Sequence, residues 1–144
     1  MIADLQAILD TSDFTREYGI VIESIQGHRV RARVPFRSHY VRPGGVVPGF
    51  IYMAAADVVM WLAVYAALGP AAELAVTTEM RTSFLSGVRG EDFWCEAEVS
   101  DVGDQLIFGT ATCEDARGAI ITHHTLTYIQ PPSQQPPAAP PAKT

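Results

Sequence analysis

The sequence predicts an α+β domain in which a curved antiparallel β-sheet wraps one long central helix, and three observations carry that expectation. Residues 50–68 hold a single charge, Asp57, and the run lies between Pro48-Gly49 and Gly69-Pro70, the punctuation of a helix start and stop. Six shorter runs, two before this helix and four after it, have the composition and two-residue alternation of strands. Turn-forming residues separate the last four at hairpin spacing. A helix that is apolar nearly all round needs cover on several sides, by the sheet and by a second copy of the chain.

In chain order, Ile2, Leu5 and Leu9 have helical spacing over residues 2–9, and Thr11, Ser12 and Asp13 stop that helix. Residues 18–36 read as two strands joined at Gln26-Gly27. In the second, Val30, Ala32 and Val34 alternate with Arg29, Arg31 and Arg33, which predicts an inward face and a row of solvated arginines. Arg42-Pro43-Gly44-Gly45 makes residues 37–47 a loop, because Pro fixes one dihedral and glycines permit unusual ones. After the long helix, residues 75–85, 93–99, 105–113 and 119–129 are expected to form an antiparallel meander with turns at 87–90, 102–104 and 115–118. From residue 131 the chain is rich in Pro and has no aromatic or large aliphatic residue, so residues 131–144 are expected to be a disordered tail and residues 1–130 a single domain.

Composition narrows the classes of function. A hydrophobic content of 48% suffices for a compact core. The formal net charge is −6, nine of the ten basic residues are scattered arginines and the tenth, Lys143, lies in the tail, so no basic face exists to wrap nucleic acid. The central Asp57 and the lack of interfacial Lys or Arg on both flanks argue against residues 50–68 as a membrane span. Residues 1–14 carry acids and lack the basic start and cleavage site of a secretory leader, so a cytoplasmic protein with Cys95 and Cys113 reduced is expected. His123 and His124 are adjacent on a strand and point to opposite faces, while His28 and His39 are isolated. Neither a metal site nor a cofactor is expected.

Asp57 is the residue to explain, since a carboxylate in apolar company costs several kcal/mol unless solvated or partnered, and proteins accept that cost mostly at sites. Gly49 precedes it by eight positions, and Val58-Val59-Met60-Trp61-Leu62-Ala63 follow it. With Thr77-Thr78-Glu79-Met80, Phe84-Leu85 and Leu126-Thr127-Tyr128, these residues resemble the acyl-CoA thioesterases of the PaaI-like branch, which have the hotdog fold. In that family a His-Gly-Gly step opens the helix, and an acid follows eight positions after the first glycine. Here the step reads Pro48-Gly49-Phe50, and Arg42 stands where many relatives carry Asn or Gln.

Thioester hydrolysis needs a carboxylate to attack the carbonyl or to activate water, and a donor aimed at the oxygen that becomes negative. Asp57 fits the first role in either form. The Gly49 N–H, unpaired at a helix N-terminus, fits the second. Eight residues separate the two by roughly 12 Å along one helix, so they meet only if two helices pack antiparallel in a homodimer, alone or within a dimer of dimers, as the resemblance also implies. A capping or ion-paired Asp at such an interface is the competing structural role.

The resemblance implies Thr77 as a hydrogen-bonding partner of the carboxylate or a nearby water; a β-branched strand residue is the plainer account. Arg42 would assist the carbonyl or hold a phosphate, Arg81 and Arg89 would hold nucleotide phosphates, and each is otherwise a solvated surface charge. Trp61, one helical turn after Asp57, would wall the acyl pocket or pack in the core. Phe50 would either fill the pocket or stack on the acyl group. An acyl-thioester hydratase or dehydratase is the less favoured enzyme, because the acid of the carrier-protein dehydratases would fall at Ala54. A non-catalytic acyl-thioester binder is the alternative outside enzymes.

Overall fold

The computed structural model describes residues 1–130; the proline-rich segment predicted from residue 131 lies outside the described residues. Two short helices, α1 (Ile2–Thr11) and α2 (Asp13–Arg16), precede strands β1 (Val21–Gln26) and β2 (Arg29–Val34). A loop with one 3-10 turn (Ser38–Tyr40) leads to the long helix α3 (Gly49–Leu68), and a second 3-10 turn (Gly69–Leu74) leads out of it. Strands β3 (Val76–Phe84), β4 (Phe93–Val102), β5 (Leu106–Glu114) and β6 (Ile120–Ile129) complete the chain. All six strands form one antiparallel sheet in the order β1-β2-β4-β5-β6-β3.

That order corrects the expected meander. β4, β5 and β6 follow one another, but β3 pairs with β6 at the far edge and β2 takes the place beside β4. Residues 85–92 are therefore a crossover rather than a hairpin turn, which eight residues can span because three inter-strand steps cover only about 14 Å. Local pattern gave the loop its length and left its destination open. Val88, buried with its N–H donating to the Tyr52 hydroxyl at 3.1 Å, pins the crossover to α3.

Alternation decides the core. Val30, Ala32 and Val34 of β2, Cys95 and Ala97 of β4, Ile107 and Ala111 of β5 and Leu126 of β6 turn inward against Ile51, Ala55, Ala56, Val59 and Leu62 of α3. Gly109 is also inward and buried; a Cβ there would lie 2.5 Å from the Glu98 carbonyl oxygen and 2.7 Å from the Met60 sulfur, so glycine lets α3 approach β5 closely. The arginine row of β2 is more engaged than predicted. Arg29 pairs with Glu96 and Glu98, Arg31 with Glu23, Glu96 and Glu114, and Arg33 with Asp92, because β1, β4, β5 and the end of the crossover present acids on the same face.

The two sheet edges differ. Along β1, the Gln6 side chain of α1 donates to the Ile20 carbonyl and accepts from the Ile22 N–H, both at 2.8 Å, and so covers that edge. β3 pairs only with β6, and among the described residues its outer edge has no partner. On α3, Phe50 and Met53 are exposed and Asp57 and Trp61 half-buried at helical spacing, leaving a stripe the sheet does not cover. This helix is long and apolar enough to cross a membrane by length and composition, yet more than half of it is buried within the fold.

Candidate active site

Asp57 lies one helical turn before Trp61 on the half-exposed side of α3, and two strand residues reach it. The Thr77 hydroxyl donates to its Oδ1 at 2.6 Å. The Tyr128 hydroxyl sits 2.7 Å from the same oxygen and 2.8 Å from the Asp57 carbonyl. Oδ2 receives no hydrogen bond among the described residues. Burial first, and then the adjacent Asp57 charge, pushes the Tyr128 phenol well above its ordinary range, so it remains a donor at any working pH.

A bulge puts these hydroxyls together. Met80, Thr82 and Phe84 of β3 face inward opposite Leu126, His124 and Thr122, and strict alternation would bring Thr78 inward next. The register shifts between Thr77 and Glu79, so Thr77 instead pairs with Tyr128 and shares its inward face. Sequence alone does not mark Tyr128 as a site residue, because an inward strand tyrosine reads as core. The bulge leaves no composition signal that would have marked it.

Asp57, Thr77 and Tyr128 line a cavity of about 530 Å³, a size usual for small-molecule sites. Its other walls come from α1 and α2, from Val58 and Trp61 of α3, and from residues 73–76. Trp61 therefore walls the space beside the carboxylate; its indole donates to the Glu73 carbonyl at 3.3 Å and its ring lies 5.6 Å from that of Tyr65.

Gly49 stands at the opposite end of this stretch of α3, against the Phe84 ring. Pro48, the residue before it, offers no side-chain cap, and neither the Gly49 nor the Phe50 N–H finds an acceptor among the described residues. Phe50 projects outward and is 64% exposed, so it fills no pocket within this chain. Arg42 and Arg89 come together near the same end: Val46 bridges to both, and the Gly90 N–H donates to the Gly45 carbonyl at 3.0 Å. Both arginines are exposed and make no ion pair among the described residues. Arg81 is not part of either group, for it faces outward on β3 opposite Thr125, across the sheet from Asp57 and Thr77.

His123 is exposed and bonded to Thr112, whereas His124 is buried between the hydroxyls of Thr82 and Thr122, both at 2.8 Å. Cys95 and Cys113 face each other across β4 and β5 as buried free thiols. A hydrogen bond from Cys95, helped by His124 and Thr122, draws the Cys113 thiol below its usual range. This cluster lies in the core, apart from the cavity.

One antiparallel sheet wrapped around a single long helix, with a hydroxyl-bound carboxylate midway along that helix, defines a hotdog-fold protein. The chain belongs to the thioesterase superfamily, whose sequence profile matches residues 44–122, more than half of its length. Among solved structures it is similar to a thioesterase of Haemophilus influenzae, with a TM-score of 0.83 and 17% identity over 94% of this chain and 95% of that one. It is also similar to thioesterase superfamily member 2 of zebrafish, with a TM-score of 0.79 and 20% identity over 90% and 95%. A thioesterase from Pseudomonas aeruginosa, in mutant form, matches with a TM-score of 0.79 and 19% identity over 90% and 92%. At these identities the likeness is one of fold. No curated protein matches the sequence.

Proposed function

We propose that the chain is an acyl-CoA thioesterase of the PaaI-like branch, active as a homodimer in which Asp57 of one subunit meets the Gly49 N–H of the partner. The observation that carries this reading is the way Asp57 is held. Oδ1 is occupied by Thr77 and Tyr128, while Oδ2 is left for the reaction in a residue that lines the cavity. Oδ2 attacks the thioester carbonyl, or takes a proton from the water that does, and the thiolate of CoA leaves; in the first case water then cleaves the acyl–Asp57 anhydride to free the acid and the carboxylate. The partner's amide offsets the charge growing on the carbonyl oxygen.

The positions along β3 support the dimer. Asp57 bonds Thr77, and Gly49 abuts Phe84, so the free edge of β3 carries one half of the site near each end. If two β3 strands pair antiparallel about a two-fold centred on Arg81, Thr77, which the bulge sets in the place strict alternation gives Thr78, falls opposite the partner's Phe84, and Asp57 approaches the partner's Gly49. The same pairing covers the exposed Phe50 and Met53 stripe, and sets Arg42 and Arg89 of the partner beside the site for the phosphates of CoA. Release of free thiol from acyl-CoA substrates tests this directly. Asp57→Asn should lower kcat by about 10³-fold while the dimer survives, and full activity in that variant would overturn the assignment.

A further inference from the structure

We infer that the cavity beside Asp57 accepts an uncharged acyl group, and that Glu73 and Phe14 are the specificity-determining residues that favour apolar chains over those ending in a carboxylate. This rests on the thioesterase reading and adds the substrate class to it. The cavity walls are mostly apolar, with Leu9, Phe14, Val58, Trp61, Leu74 and Val76 around it. The ionisable residues with carboxyl side chains among those lining it are Asp57 and Glu73, and among the described residues no Arg, Lys or His joins them. An acyl chain ending in a carboxylate would therefore lose its hydration against apolar walls and meet two acidic residues with no cation among the cavity's own lining residues to offset them.

Glu73 is placed for this role by its backbone, because the Trp61 indole holds its carbonyl at 3.3 Å. Glu73 is exposed, and its carboxylate makes no hydrogen bond or ion pair among the described residues, so its charge is unpaired and is screened by solvent until an acyl chain displaces that water. Phe14 closes the other side from α2. It is 66% exposed and rests edge-on against Tyr18 with ring centroids 6.0 Å apart, so it is open to contact with an acyl chain and its replacement leaves the core intact. The N-terminal helices thus wall the cavity in addition to covering the β1 edge.

The test uses the full chain, octanoyl-CoA against glutaryl-CoA in turnover, and the non-hydrolysable S-octyl-CoA against S-(4-carboxybutyl)-CoA in calorimetric binding. The wild type should favour octanoyl by about 100-fold in kcat/KM, and Glu73→Lys should shrink that ratio at least about tenfold. Phe14→Ala should weaken S-octyl-CoA binding by about fivefold and the carboxylated thioether by less than about twofold. Equal turnover of the two esters, or a ratio untouched by Glu73→Lys, would overturn the proposal and leave the hydrolase reading standing. Absence of turnover with a preference for S-octyl-CoA that Glu73→Lys abolishes would overturn the hydrolase reading and support the pocket. Failure of both thioethers to bind, together with no turnover of either ester, would overturn both.

Discussion

Tyr128 does two things for Asp57: it occupies one carboxylate oxygen, and it ties the helix backbone at the same residue to β6. Removing its hydroxyl deletes a hydrogen bond to a charged acceptor, an interaction of about 1.5–3 kcal/mol, so Tyr128→Phe should lower kcat by about tenfold or more. KM should change much less, which steady-state kinetics separates from a loosened pocket. The same group makes a stability prediction. Its folded pKa is raised above the unfolded value, so the stabilisation is complete below about pH 10 and is lost as pH rises through that range, where the unfolded chain gives up a proton the native chain keeps. Urea midpoints measured from about pH 8 to pH 11 should fall more steeply for the wild type than for Tyr128→Phe. Buried Tyr52 and half-buried Tyr40, also raised by burial, contribute equally to both curves. Sequence marked Asp57 because one charge in an apolar helix is anomalous by itself. It could not mark Tyr128, whose contact with Asp57 joins residues 71 apart and is normal strand chemistry until the fold closes.

At the scale of elements, what is local was legible and what is long-range was not. The helix and strands follow from periodicities contained in single segments, so α3 begins at the predicted Pro48-Gly49 step and ends before Gly69. The pairing of β3 with β6 depends on matching inward faces some forty residues apart, and the bulge at Thr78 adds a parity change that alternation alone argues against. Deleting Thr78 should remove the extra residue, restore strict alternation and leave Thr77 opposite Tyr128, still facing Asp57. Thiol release should then stay well above the level of Thr77→Ala, with the far-ultraviolet spectrum unchanged. Gly109 makes the complementary case for packing. A methyl group there meets the Glu98 backbone as well as the flexible Met60, and the backbone cannot yield, so Gly109→Ala should cost about 1–3 kcal/mol in urea denaturation.

The whole molecule is where the two halves of the site must be joined, and a pair of variants can show whether they come from different subunits. Gly49→Pro removes the amide in question with little backbone disturbance. The position is the first of α3, where proline is well tolerated, and Pro48 before it is already extended at φ −72°, ψ 155°, as a residue preceding proline must be. The ring would press on Phe84, whose exposed side chain is free to move aside. Gly49→Pro and Asp57→Asn should each form dimers by light scattering and each be nearly inactive. Unfolded and refolded together in equal amounts, they should recover about one quarter of wild-type sites, because half the dimers are mixed and each mixed dimer has one site with both native groups. If Asp57 and Gly49 acted within one subunit, every site in the mixture would carry a defect and no activity would return. A change that breaks the interface, such as Phe50→Glu with Met53→Glu on the exposed stripe of α3, should abolish activity and dimer together.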